Sequence, residues 1–198
     1  MRVVLADYGA GNLRSVCSAL ARAGEQPVVS ADPVEVADAP LAIVAGVGHV
    51  ARAAAGLGPL AEVLRDRVAA GRPVFGICVG LQVLFGESEE GGEGLGLLAG
   101  PVCRLDAPTV PHMGWNELTC TRPSHILDGL YGADVYFAHS FAVLPDDEDL
   151  VVARVDHAGP VVAAVEDGVL AGVQFHPERS GAAGARVLEN VLRWSRSA

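Results

Sequence analysis

The sequence predicts an α/β fold: a mainly parallel central sheet with helices on both faces and a mixed or antiparallel extension. Three observations carry this prediction. Up to residue 78, apolar runs of strand length alternate with segments whose apolar residues recur at helical spacing. Between about residues 100 and 175 the apolar runs become short, alternating and separated by turn residues. No repeat, low-complexity stretch or linker divides the chain, so residues 1–198 are expected to form one domain.

The elements follow in order. "RVVLA" (2–6) reads as a strand, and the Gly-rich "YGAGN" (8–12) as the turn after it. Leu13, Val16, Cys17 and Leu20 mark a helix. "QPVVS" (26–30) and "LAIVAG" (41–46) read as strands. Leu60, Val63, Leu64 and Val68 mark a second helix that Gly71 stops. "RPVFGIC" (72–78) is a buried strand, with a helix expected to begin near Leu81. "PVCRL", "WNELTC", "DVYFAHSF", "LVVARV" and "PVVAAVEDGVLAGVQF" supply the later strands, the last including a hairpin through "EDG". A final helix carries Ala183, Val187 and Val191 on one stripe, with Leu188 and Leu192 beside it.

Composition excludes several function classes. Hydrophobic residues make up 51% and charged residues 19%, which speaks against disorder. A net charge of −10, with no basic run, disfavours a nucleic-acid partner. No apolar run approaches the ~20 residues of a membrane span, and "MRVVLADYGAGN" reads as a strand and turn rather than a signal peptide. A cytoplasmic protein without membrane association is expected. Cys17, Cys78, Cys103 and Cys120 form no metal-ligand spacing, so free thiols and no metal are expected.

Cys78 stands out among them. It follows an apolar strand and lies within Gly76-Ile77-Cys78-Val79-Gly80, where small residues permit the sharp strand-to-helix turn that exposes a nucleophile. In an open α/β sheet, ligands bind beyond the carboxyl ends of the strands. A helix N-terminus there would favour a thiolate, and the Val79 N–H would face an oxyanion. Cys17, Cys103 and Cys120, on a helix stripe and in strand patterns, read as buried structural cysteines. A nucleophile needs a base and a group to orient the base. "GVQFHPERSG" (172–181) supplies His176 after an apolar strand and Glu178 two residues on. Pro177 restricts His176 to extended geometry, where residues two apart point the same way.

These stretches resemble the class I (triad) glutamine amidotransferase family: "GICVGLQ" matches its nucleophile motif and "GVQFHPE" its His/Glu motif. "DYGAGNLRSV" (7–16), "VPHMGWNEL" (110–118) and "YFAHSF" (136–141) narrow the resemblance to its branch of imidazole glycerol phosphate synthase glutaminase subunits, from residue 1 to about 190. The resemblance implies hydrolysis of glutamine to glutamate and ammonia through a thioester on Cys78, with His176 as acid and base and Glu178 orienting it. It implies no cofactor. Ammonia would pass to a partner (β/α)₈-barrel cyclase that forms imidazole glycerol phosphate and an aminoimidazole carboxamide ribonucleotide in histidine biosynthesis.

The resemblance further implies an oxyanion and substrate-binding set of Gly46, Val47, Gly48, Val79, Gln82, Glu90, Ser140 and Phe141, with Glu90 taking the α-ammonium and Ser140 and Phe141 the carboxylate. Where the family has Pro-Gly-Val-Gly this chain has Ala45, and a freer loop is expected. Asn12, Trp115, Tyr136 and Arg179 are expected to face the cyclase, although Trp115 also reads as a core anchor. His112, in the same "PHMGWN" stretch, is expected to be structural or interfacial. Two alternatives compete with the heterodimeric glutaminase. One is another triad amidotransferase or a hydrolase of similar fold, such as a pyridoxal phosphate synthase subunit or a cysteine peptidase. The other is a catalytically silent binding subunit.

Overall fold

The computed structural model describes residues 2–9 and 11–197; Ala10, inside the predicted turn, lies outside the described residues with Met1 and Ala198. The first part runs β1 (Arg2–Ala6), α1 (Leu13–Arg22), β2 (Gln26–Ser30), α2 (Pro33–Asp38), β3 (Leu41–Gly46), α3 (Val50–Leu57), α4 (Pro59–Ala69), β4 (Val74–Cys78) and the single turn α5 (Val79–Gln82). The second part runs β5 (Val102–Arg104), β6 (His112–Glu117), β7 (Thr119–Cys120), β8 (Asp134–His139), β9 (Phe141–Val143), β10 (Val151–Asp156), β11 (Pro160–Asp167), β12 (Leu170–Val173) and α6 (Gly181–Trp194).

One eight-stranded sheet has the order β2-β1-β3-β4-β12-β11-β10-β7. Its first five strands are parallel, and from β12 onward the pairs are antiparallel. This is the predicted architecture. From β1 the chain steps to β2 on one side and then across to β3 and β4 on the other. Right-handed crossovers therefore place α1 on one face and α2 and α4 on the opposite face. β3, β4 and β12 are buried along their whole lengths, as strands covered on both sides must be. The "EDG" hairpin joins β11 to β12, with Asp167 opposite Leu170 and Gly168 at φ 54. Ribbons β5–β9 and β6–β8 stand outside the main sheet.

Two helices have no counterpart among the predicted elements. α2 has six residues, of which only Val36 is buried, and it is set by the Asp32 carboxylate accepting from the Val34 N–H with Pro33 at its first turn. α3 is "VARAAAGL", whose alanines and glycine blur the apolar stripe formed by Val50, Ala53 and Leu57. Arg67 on α4 ties these pieces together. Its buried guanidinium donates to the carbonyls of Val36, Ala37, Ala39 and Pro73, so the end of α2 and the approach to β4 share one anchor. α6 buries Val187, Leu188, Val191 and Leu192 as predicted, while Ala183 is only half-buried.

The cysteine reading needs correction. Cys17, Cys103 and Cys120 are half-buried rather than buried: Cys17 and Cys120 pack against the edge of the core, and Cys103 alternates with the buried Val102 on β5; Cys78 is the buried one.

Candidate active site

Gly46, Cys78 and the segment after Val173 meet at the carboxyl edge of three adjacent parallel strands. Gly46 pairs with Cys78 across β3 and β4, and Val173 pairs with Ile77 across β12 and β4. Cys78 ends β4 at φ 55, ψ −112, a conformation that residues with a side chain rarely adopt. The flanking glycines are required for space and not for φ. A Cβ on Gly76 would lie 2.6 Å from the Gly80 carbonyl oxygen, and one on Gly80 would lie 1.8 Å from the Val44 carbonyl oxygen. The helix expected from Leu81 is the one-turn α5, beginning at Val79. Residues 79–85 are all buried, so no amphipathic period develops there. A macrodipole of full helical size is therefore absent behind Cys78.

His176 and Glu178 come together by a different route from the predicted one. Pro177–Arg179 form a 3₁₀ turn rather than an extended segment, and this turn brings the Glu178 Oε1 to 2.9 Å from His176 Nδ1. The carboxylate accepts, so Nδ1 carries the proton and Nε2 is left for Cys78. Burial pulls the imidazolium down, but hydrogen bonds to Cys78 and Glu178 more than offset it and raise His176 to about 10. The turn is clamped to β8: the His176 N–H donates to the Tyr136 carbonyl, Ser180 Oγ donates to the His176 carbonyl, and the Tyr136 N–H donates to Ser180 Oγ. A Cβ on Gly184 would sit 1.9 Å from the Pro177 carbonyl oxygen, so α6 packs directly on this turn. Ser180 and Gly184 thus position His176. Their only sequence signal is small size next to the His/Glu motif.

The remaining predicted residues divide into three groups. Gly46, Val47 and Gly48 lead from β3 past Cys78, with Gly48 at φ 100. Ala45 is not in a free loop. It is buried in β3 opposite Ile77, and its carbonyl accepts from the buried Tyr8 hydroxyl at 3.0 Å. The expected freer sampling at this position is therefore corrected, since ladder and hydroxyl already fix it. Glu90 lies beyond the same loop, where its Oε2 accepts from the Val50 N–H at the start of α3. His49 Nδ1 is 3.6 Å from that oxygen, but it accepts from the Ala51 N–H, so both groups cap α3 rather than pairing through a shared proton. Gln82 is buried, and its amide nitrogen donates to the Phe141 carbonyl at 2.7 Å and to Gln174 Oε1 at 3.0 Å. Phe141 opens β9 directly after Ser140.

Gln174, quoted within the His/Glu motif but given no role by sequence reasoning, is fully buried, and its amide nitrogen donates to the Cys78 sulfur at 3.6 Å. Among the described residues no cluster of His, Cys, Asp and Glu could hold a metal ion, and no helix is long and apolar enough to cross a membrane.

Trp115, Tyr136 and Arg179 share one exposed face. The Arg179 guanidinium stacks 4.4 Å from the Tyr136 ring centroid, and Trp115 meets Tyr136 edge-on at 6.1 Å. Trp115 is 57% exposed, so the core-anchor reading is overturned: on β6 it projects outward with Met113 while His112 points inward. Asn12 opens α1 on the same side as the Pro177–Arg179 turn, against which that helix packs.

Comparison with known proteins places this geometry in context. The family model described as "Glutamine amidotransferase class-I" matches residues 4–194. The chain is 43% identical to "Imidazole glycerol phosphate synthase subunit HisH" of Natronomonas pharaonis, across 96% of this chain and 93% of that one. It is 46% identical to the protein of that name from Geobacillus kaustophilus, across 94% and 93%. The solved structure of PurLQS from Thermotoga maritima superposes with a TM-score of 0.78 at 22% identity, covering 98% of both chains, a likeness of fold.

Proposed function

The chain belongs to the class-I glutamine amidotransferase family, and from that premise we propose that it is the glutaminase subunit of an imidazole glycerol phosphate synthase in histidine biosynthesis. It hydrolyses glutamine to glutamate and ammonia. Its partner is a (β/α)₈-barrel cyclase that consumes the ammonia, its 198 residues act as one domain, and it works in the cytoplasm.

The observation that supports this reading most is the meeting of Cys78, His176 and Glu178 at one sheet edge. The Cys78 thiolate attacks the side-chain amide carbon of glutamine, and the carbonyl π electrons move onto oxygen. The Val79 N–H and an N–H from Gly46-Val47-Gly48 receive that oxyanion. His176, holding a proton on Nε2, gives it to the departing nitrogen as the C–N bond breaks, leaving a thioester and free ammonia. His176 then takes a proton from water as the water oxygen attacks the thioester. The C–S bond breaks, and glutamate and the thiolate are released. Glu178 keeps Nδ1 protonated throughout. Glu90 receives the substrate's α-ammonium through its Oε1, Ser140 and Phe141 bind its carboxylate, and Gln82 offers Oε1, because both of its N–H donors are engaged. Asn12, Trp115, Tyr136 and Arg179 meet the cyclase.

Purification with a barrel cyclase, followed by glutamate release measured with and without the cyclase's nucleotide substrate, tests the reading. Glutamate release by the complex is expected. A complex that binds the cyclase yet releases no glutamate under either condition would make this a silent binding subunit.

A further inference from the structure

Two buried imidazoles are unused by the mechanism above, and both lie on one hydrogen-bond chain that ends at the nucleophile. The Phe141 carbonyl accepts from His139 Nδ1 at 2.9 Å, so that nitrogen carries the proton. His139 Nε2 is then an acceptor, and His112 Nδ1 donates to it at 3.1 Å. His112 Nε2 in turn accepts from the Asn116 amide nitrogen at 3.3 Å, which also donates to the Asp156 carbonyl at 2.8 Å. Burial keeps both rings neutral, pulling His139 down to about 3 and His112 to about 4. On the other side of the Phe141 carbonyl, Gln82 spends one N–H on that oxygen and the other on Gln174 Oε1. This leaves the Gln174 amide nitrogen directed at Cys78 Sγ, 3.6 Å away. Every donor and acceptor in the series is fixed by its neighbour. His112 is held further by stacking between Phe137 and His157, with centroids at 4.5 and 4.1 Å.

The geometry points to Gln174 as a further catalytic residue that donates a hydrogen bond to the Cys78 sulfur, with Gln82, His139 and His112 as a positioning chain reaching back to Asn116 on β6. The assignment rests on the glutaminase reading. It gives the "PHMGWN" stretch a role that neither the triad nor the exposed Trp115 supplies. A carbonyl that accepts from both sides cannot rotate freely, so the Gln174 amide is held with its nitrogen toward sulfur and its oxygen toward Gln82. A thiolate with a directed donor is stabilised and aimed; without that donor its reactivity falls.

The test is the rate of iodoacetamide alkylation of Cys78 in the full chain at neutral pH, alongside glutamate release by the complex and thermal melting. Gln174→Met, which fills the space without a donor, is expected to slow both reactions about five- to tenfold, the scale of one typical net hydrogen bond. His112→Phe, which keeps the stack but cuts the chain, is expected to slow both about two- to threefold, and His112→Gln, which retains a donor, to recover most of that loss. The double variant Gln174→Met with His112→Phe is expected to match Gln174→Met alone, because the chain is already broken at its end. Wild-type alkylation rates in a folded Gln174→Met chain would overturn the donor assignment. If that variant does not fold, an unchanged rate in His112→Phe overturns the positioning chain. Slowed alkylation in Gln174→Met, together with a wild-type complex that releases no glutamate, would instead overturn the glutaminase reading and leave the donor assignment standing.

Discussion

Strain and space are divided between different residues at the Cys78 turn. Cys78 takes φ 55, while Gly76 and Gly80 give room for β4, α5 and β3 to close on one another. Gly80→Ala is therefore expected to destabilise the fold by at least about 1–3 kcal/mol, because its Cβ would meet a backbone oxygen that cannot rotate away. The midpoint of urea denaturation measures this, and an unchanged midpoint would contradict the packing account. The buried imidazoles give a pH signature of known sign. His112 and His139 remain neutral in the folded chain down to about 4 and about 3, whereas the unfolded chain protonates them near 6.5. The unfolded state then binds more protons, so their contribution to stability is complete above pH 6.5 and is lost as pH falls toward 4. Denaturation midpoints at pH 7 and pH 5 should differ less in His112→Phe than in wild type; equal differences would contradict burial of a neutral His112. Cys78, His176 and Glu178 could be singled out in the sequence because each sits in a short motif, and the fold brings them to one sheet edge. Gln174 could not, since a buried amide acquires meaning only from partners brought together by the fold.

Elements show where periodicity carries information and where it does not. The apolar strands β3 and β4, β1 after Arg2, and the amphipathic helices α1, α4 and α6 could be read directly from spacing. α2 and α3 could not, the first for shortness and the second for its small residues. The chain after Cys78 is buried on every side, so no stripe distinguishes its one-turn helix from the coil that follows. Strand β6 separates its two faces by alternation, with Met113 and Trp115 outward and His112 inward. Trp115→Ala is accordingly expected to leave the melting temperature of the free chain within about 2 °C, since little buried area is lost. It should weaken cyclase binding by about 2 kcal/mol, or roughly thirtyfold in Kd. Calorimetric titration and a melt of the free chain separate these effects; a lowered melting temperature with unchanged affinity would make Trp115 a packing residue.

At the scale of the molecule, the topology accounts for the site. The switch from β2 to β3 across β1 opens the carboxyl edge, β4 brings Cys78 to it, and the antiparallel hairpin β11–β12 returns the chain so that His176 arrives beside β4. His176 and Cys78 lie 98 residues apart in sequence and one strand apart in space. The measurement closest to the central claim compares two nitrogen sources in the Cys78→Ser complex with the cyclase. On the proposed function the thiol serves amide cleavage alone and the cyclase chemistry belongs to the partner, so product should form from added ammonium salt while glutamine supports neither product nor glutamate release. Glutamine-dependent product from that variant would contradict the assignment of Cys78 as the nucleophile.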